Sequence, residues 1–142
     1  MDLPRRTLIT VEADVEQPVD KVWECWTMPE HITQWNYALE EWHSPYATND
    51  LRAGGKFSSR MEAKDGSVGF DFAGEYDIVD EFEYIEYTLG DSRKVKVHFT
   101  PDGNHTKVVE SFEAEDTNSI ELQRTGWQAI LDNFKKYAES RP

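Results

Sequence analysis

The sequence predicts an α+β fold in which a curled antiparallel sheet of six or seven strands wraps on a long C-terminal helix. Apolar and polar residues alternate over Thr7–Val15 and again from Trp42 to Phe112, which is typical of half-buried strands. From Asn118 to Tyr137 the apolar residues instead recur every three or four positions, which is typical of an amphipathic helix. Residues 1–142 are expected to form one domain, because a chain of this length can bury enough surface around a single core.

Two short helices are expected after the first strand. Pro18 ends the alternation, and proline suits the first turn of a helix, so a helix is predicted from about Pro18 to Trp26. Thr27 and Glu30 have the spacing of a capping box, which predicts the start of a second helix that carries Trp35. We expect these helices to close one end of the sheet.

Turn signals divide the central region into the strands of a meander. Gly54 and Gly55 mark a bend, and Asp65-Gly66 is a strong hairpin signal. Further turns are expected at Gly90–Ser92 and at Pro101–Asn104. The alternation assigns these residues to one face: Phe57, Ser59, Met61, Ala63, Phe70, Phe72, Gly74, Tyr76, Ile78, Ile85, Tyr87, Leu89, Val95, Val97, Phe99, Val108, Glu110 and Phe112. The sheet is therefore predicted to have one dry face and one charged face.

The C-terminal segment is predicted to be one helix that packs on the dry face. Asn118 and Glu121 have capping-box spacing, which places the start of the helix at Asn118. Gly126 lies inside it, where glycine costs about 1 kcal/mol relative to alanine. It indicates a close approach of helix and sheet or room left for a ligand, unless it is simply tolerated.

A cavity is expected between this helix and the sheet, because a straight helix touches a curled sheet along only part of its length. Bulky aromatic side chains aimed at one space are typical of apolar ligand pockets. The alternative is that the rings only fill the core. The predicted ligand-binding residues are Trp35, Trp42, Phe57, Phe70, Phe72, Tyr76, Tyr87, Glu110, Phe112, Trp127 and Phe134.

Glu110 is the one acidic residue that breaks the alternation. The pattern places it inward between Val108 and Phe112, where loss of water favours the neutral carboxyl group. Such a group is a candidate general acid or base, or an anchor for a ligand hydroxyl. The alternatives are a bulge that turns it to the rim, or an ion pair with Arg124 or Arg60.

Charge and residue types argue against several classes of protein. The chain carries 28 acidic and 15 basic side chains, a formal net charge of −13, which disfavours nucleic acid and anionic membrane surfaces as partners. The four histidines show no metal-ligand spacing, and Cys25 is the only cysteine, so neither a metal nor a cofactor is expected. The N-terminal residues lack the apolar stretch of a secretory signal, so a cytoplasmic location is expected.

Motifs spread over nearly the whole chain carry a family resemblance. They are Val22-Trp23, Pro29-Glu30-His31, Trp35, the run from Asp50 to Phe57, Asp65-Gly66, Gly74-Glu75-Tyr76, Thr106, Glu110-Ser111-Phe112 and Gly126-Trp127. In this order they resemble the activator of heat-shock-protein-90 ATPase homologue family, within the START-like or SRPBCC superfamily. The resemblance implies the helix-grip fold and a deep hydrophobic pocket beside the C-terminal helix. Many relatives bind lipids, polyketides or other lipophilic molecules.

Three functional hypotheses follow from the residues and the resemblance. The first is binding of a small hydrophobic or aromatic molecule, because no nucleophile–base pair, phosphate loop or carboxylate pair is recognisable. The second is an enzyme of the polyketide cyclase or dehydratase kind, with Glu110 and Tyr76 or Tyr87 handling protons. The third is a co-chaperone of the heat-shock ATPase, which the family name suggests; the eukaryotic activators use a separate N-terminal domain, for which these 142 residues leave no room. A protein partner is possible on this reading, although no motif indicates one.

Overall fold

The computed structural model describes residues 7–141, and it confirms the predicted curled antiparallel sheet with two short helices after the first strand and a long C-terminal helix. Residues 1–6 and 142 lie outside the described residues, as does most of the N-terminal segment from which a location was argued. The elements in order are β1 Leu8–Val15, α1 Val19–Thr27, α2 Pro29–Trp35, β2 Trp42–His43, β3 Ala47–Asn49, β4 Lys56–Ala63, β5 Gly69–Asp80, β6 Tyr84–Leu89, β7 Lys94–Asp102, β8 His105–Glu113 and α3 Ile120–Glu139.

The sheet is antiparallel throughout, and its strand order is β1-β8-β7-β6-β5-β4-β2. Strand β3 also pairs with β4, so that β2 and β3 occupy two places along the same edge of that strand. These two strands were not separated by the sequence pattern, because two or three residues are too few to show a period. The strands from β4 to β8 form the predicted meander.

Helix α3 lies towards the β1 side of the sheet, where it packs mainly on β1 and against α1 and α2. Phe134 anchors it there. Its fully buried ring meets Trp26 and Trp35 edge-to-face, with ring centroids 4.9 Å apart in both pairs. Because the helix is held at this side, the inner faces of β4, β5 and β6 are left without a helix directly above them.

Polar side chains of α3 also bond to the free edge of β1. The side-chain amide of Gln128 accepts a hydrogen bond from the Glu12 N–H at 3.4 Å and donates one to the Glu12 carbonyl at 3.0 Å. Further along, the Glu139 carboxylate accepts from the Glu16 N–H at 2.9 Å. The helix thereby occupies backbone groups that an edge strand otherwise exposes.

The capping box predicted at Thr27 is wrong. Thr27 is the last residue of α1, and its hydroxyl donates to the Trp23 carbonyl at 2.7 Å instead of capping the next helix. Met28 precedes α2 without a side-chain cap, and Pro29 opens that helix. Because proline has no N–H to satisfy, this start needs one donor fewer to be capped.

Two further local predictions are corrected. The N-cap of α3 is Ser119 instead of Asn118, because the Ser119 hydroxyl accepts the Leu122 N–H at 3.1 Å. Ile78 does not face the core: a register shift between Tyr76 and Ile78 turns it outward, and Val79 packs against the core in its place. A β-bulge inserts one residue and so inverts the alternation that follows it.

Replacement of Phe134 by alanine tests the seat of α3. We expect Phe134→Ala to lower the free energy of unfolding by about 3–5 kcal/mol, because it removes a fully buried aromatic ring. Urea denaturation measures the change. Leu122→Ala, an exposed position on the same helix, is the matched control and should change stability by no more than about 0.5 kcal/mol. Equal losses in the two variants would contradict this packing.

Candidate functional site

A cavity of about 330 Å³ lies between the sheet and α3, on the side that the helix leaves uncovered. Strands β4, β5, β6 and β8 supply one wall and α3 the opposite one, while α1, α2 and the segment before α3 close the ends. The size falls within the range of small-molecule pockets. Eight of the predicted ligand-binding residues line it: Trp35, Phe57, Phe70, Phe72, Tyr76, Tyr87, Glu110 and Trp127.

Three of the predicted residues lie outside the cavity lining. Phe112 is fully buried beneath Trp127, on which it stacks with ring centroids 3.8 Å apart. Phe134 belongs to the core under α3, as described above. Trp42 contacts Phe70, with ring centroids 6.0 Å apart, but does not itself border the cavity. The alternation identified the correct face for Phe112, but the face alone does not distinguish a ring at the cavity surface from one packed beneath it.

Sequence reasoning missed other lining residues, many of them on the helices and connecting segments. The helical spacing of apolar residues shows which face of α3 is apolar, and Ile130 and Leu131 belong to that face. The polar members gave no such signal, except that Ser59 has inward parity on β4. The missed residues are Trp26, Ile32, Asn36, Ser59, Met61, Arg93, Glu115, Asn118, Leu122, Gln123, Ile130 and Leu131.

The aromatic rings around the cavity contact one another in edge-to-face and tilted pairs. Phe57 meets Tyr87 at a centroid distance of 4.8 Å and Tyr76 at 5.1 Å, and Phe72 meets Trp127 at 5.9 Å. The Tyr76 hydroxyl donates to the Asn49 side-chain oxygen at 2.5 Å, so its polar end is satisfied within the protein. These contacts fix the rings, and the cavity wall is preformed.

Glu110 faces the cavity from the middle of β8, as its parity predicted. It pairs in regular register with Val11 on β1 and Val97 on β7, and its residue is only 6% exposed. The predicted alternatives are not observed, since Arg60 pairs with Glu62 and Asp71, and Arg124 pairs with Glu121. Burial without a cationic partner among the described residues raises the pKa of the Glu110 carboxyl to about 8.

Gly126 borders the cavity from the middle of α3. A Cβ built on it would meet no atom within 4 Å, so the glycine does not mark a close approach of helix and sheet. The space above it belongs to the cavity. Of the three interpretations weighed for this residue, room beside the helix fits this geometry, whereas tight packing does not.

The chemistry available at the site is that of a largely apolar chamber with one buried, neutral carboxyl group, that of Glu110. Within residues 7–141, no group of three or more His, Cys, Asp or Glu side chains is placed to hold a metal ion. In the same part of the chain, no helix is both long and apolar enough to cross a membrane. The arrangement can enclose an apolar body and can offer it a proton or a hydrogen bond from Glu110.

The raised pKa of Glu110 makes stability depend on pH. Between about pH 4.5 and 8 the folded protein keeps this proton whereas the unfolded chain releases it, so the free energy of unfolding falls as pH rises. The slope from this group is at most about 1.4 kcal/mol per pH unit. We expect Glu110→Gln to remove it, so that the variant gains stability relative to wild type from pH 5 to pH 8 in urea denaturation.

Glu12→Gln, on the outer face of β1, is the matched control and should keep the wild-type dependence. Parallel stability curves for wild type and Glu110→Gln across this pH range would show that Glu110 is not buried as a neutral acid.

Comparison with known proteins gives the same architecture. The solution structure of an AHSA1-like protein from Aeromonas hydrophila is 41% identical, with a TM-score of 0.89 over 94% of this chain and 93% of that one. The solution structure of a protein from Cytophaga hutchinsonii is 55% identical, with a TM-score of 0.80 over 93% of this chain and 92% of that one. The crystal structure of a protein from Chromobacterium violaceum shares the fold at 19% identity and a TM-score of 0.81, over 94% and 98% of the two chains.

No match to a curated protein was found. The family described as Activator of Hsp90 ATPase homolog 1-like protein matches residues 16–139, which include every helix of the described residues and the whole meander from β4 to β8. The match confirms the resemblance drawn from the sequence motifs. This chain therefore belongs to the Activator of Hsp90 ATPase homolog 1-like family, within the START-like, helix-grip fold.

Proposed function

We propose that this protein binds a small, largely apolar aromatic molecule in the cavity between α3 and the sheet. The observation that carries the proposal is a preformed space of about 330 Å³ walled by aromatic rings on several elements. These rings touch one another, but they also border open volume, which a filled core would not leave. The fold family is consistent with ligand binding.

Burial of apolar surface supplies the affinity. Phe72 and Trp127 meet at the cavity wall from opposite sides, one on β5 and one on α3. An aromatic side chain carries about 150–250 Å² of surface, and covering half of it contributes about 2–3 kcal/mol as an upper value. Part of this is lost to the entropy of association. A flat molecule that lies against these two rings therefore reaches useful affinity without any ion pair.

The entrance is formed by two exposed apolar residues. Phe70 on β5 and Leu122 in the first turn of α3 both border the cavity, and they are 48% and 59% exposed. Large apolar side chains at the surface are expected where a lipophilic molecule enters. We therefore place the route of entry between β5 and the N-terminus of α3.

Native mass spectrometry of the purified protein tests the proposal directly. We expect the mass spectrum to show a bound small molecule. If it shows none, we expect the apolar two-ring probe 2-(dimethylamino)naphthalene to bind, as measured by quenching of tryptophan fluorescence. Absence of both would contradict a ligand-binding cavity.

Filling the space above Gly126 should block the cavity. We expect Gly126→Leu to weaken binding of this naphthalene probe by about tenfold or more, because the new side chain enters open volume that the ligand needs. Thr125→Leu, an exposed neighbour on α3, is the matched control and should bind normally. Calorimetry gives both affinities, and thermal denaturation checks that both variants fold. Equal affinity in the two variants would place the binding site elsewhere.

A proton-transfer enzyme of the cyclase or dehydratase kind is the second candidate, and Glu110 favours it. A carboxyl group with a pKa of about 8 can both give and take a proton near neutral pH. A co-chaperone of the heat-shock ATPase would need a surface that binds this protein partner. We do not propose that role, since the aromatic lining and Glu110, on which the proposals rest, surround the cavity.

Glu110→Gln separates the enzymatic candidate from simple binding. If Glu110 transfers a proton, turnover of a cyclisable polyketone should fall by roughly 10² to 10⁴ while binding persists, because an amide does not exchange the proton. Product formation is followed by mass spectrometry. If wild type leaves such compounds unchanged, the enzymatic candidate fails for that substrate class.

A further inference from the structure

Four polar side chains open into the cavity without a partner in the protein. Asn36, Ser59, Tyr87 and Glu110 are each more than nine-tenths buried and border the cavity. Among the described residues, none of these four side chains makes a hydrogen bond or ion pair. Their polar atoms remain accessible from the cavity, because the Ser44 hydroxyl is the only fully enclosed side-chain polar atom of the described residues that lacks a partner. Buried polar groups are nearly always paired, so the partners of these four come from whatever fills the cavity.

Other polar groups at the same cavity are already satisfied. The Gln123 amide accepts the Glu115 N–H at 2.9 Å and donates to the Asn118 carbonyl at 2.8 Å. The Arg93 guanidinium donates to Asp91 at 2.7 Å and is thereby directed to its own turn. The unused hydrogen-bonding capacity of the cavity wall is therefore concentrated at the four unpartnered side chains named above.

Tyr87 and Glu110 stand out as two titratable groups on the same side of the cavity. They lie on β6 and β8, separated by the small residues Val95 and Val97 of β7. Burial first, and then the charge of an ionised Glu110, raise the pKa of the Tyr87 hydroxyl, so the two groups lie near enough to interact on this wall. Contacts with Phe57 hold the Tyr87 ring in place.

Both groups are proton donors at neutral pH. Burial raises the pKa of Tyr87 well above its usual value and that of Glu110 to about 8, so each carries an O–H. The other titratable groups at the cavity wall are Tyr76 from β5, Arg93 before β7 and Glu115 after β8, whereas α1, α2, α3 and β4 contribute none. Both O–H groups border the cavity without a partner among the described residues, which matches a ligand oxygen that accepts two hydrogen bonds. The apolar lining and the acidic chain disfavour an anion.

We propose that the ligand is a neutral aromatic ketone, or a related carbonyl compound, whose carbonyl oxygen accepts hydrogen bonds from Tyr87 and Glu110. Its apolar body lies against Phe72 and Trp127, and Ser59 and Asn36 serve further polar substituents. This inference rests on the proposed ligand-binding function and adds to it the chemical class of the ligand.

A pair of probes that differ in one carbonyl group tests the inference. The ketone 6-propionyl-2-(dimethylamino)naphthalene reports hydrogen bonding to its carbonyl by a red shift of emission, and 2-(dimethylamino)naphthalene lacks that group. We expect Tyr87→Phe to weaken the ketone by roughly three- to tenfold and the parent naphthalene by less than about twofold, since one neutral hydrogen bond is lost.

The pH profile provides a second readout that does not depend on Tyr87. Affinity of wild type for the ketone should fall above about pH 8, where Glu110 loses the donated proton. Glu110→Gln should bind the ketone with a flat profile from pH 6 to 9, because its amide donates at every pH. Glu12→Gln, on the outer face, should keep the wild-type profile.

The outcomes separate this inference from the proposed function. Equal effects of Tyr87→Phe on both probes, together with a flat wild-type profile for the ketone, would overturn the carbonyl site and leave apolar binding intact. Failure of both probes to bind wild type would overturn the proposed function and this inference with it.

Discussion

The position of α3 on the sheet is the constraint on which the rest of the structure depends. A curled sheet seven strands wide presents more inner surface than one helix can cover. Phe134, clamped between Trp26 and Trp35, holds the helix at the β1 side. The uncovered strands are the ones that carry the free aromatic faces, so the cavity is a direct result of where the helix packs.

Glu110 supports the proposal that the cavity is more than unfilled core. Its neighbours on the inner face of β8 are Val108 and Phe112, and an apolar residue at this position would pack without any desolvation cost. The chain instead keeps a carboxyl group that destabilises the folded state at neutral and higher pH. A buried polar group that weakens the fold and faces open space supports the proposed ligand-binding function.

Much of the fold and part of the site followed from the sequence. Alternation and helical spacing located the meander, the three helices and the inward position of Glu110, because these signals reflect burial averaged over many residues. The predictions were wrong where a single residue determines the local geometry. A bulge turns Ile78 outward, and Ser119 caps α3 at the position next to the predicted Asn118. Depth within the core was also beyond the pattern, so Phe112 and Phe134 could not be separated from Phe72 or Trp127. Asn36 ends a short helix, where no period exists to predict its direction.

The hydrogen bonds from α3 to β1 have a consequence for how copies of this protein meet. An uncovered edge strand is a template on which a second chain can add its own strand, the first step of many aggregation pathways. Here Gln128 and Glu139 already occupy backbone groups of Glu12 and Glu16 along that edge. A foreign strand must first displace these side chains, so the element that creates the cavity also guards the sheet against polymerisation along β1.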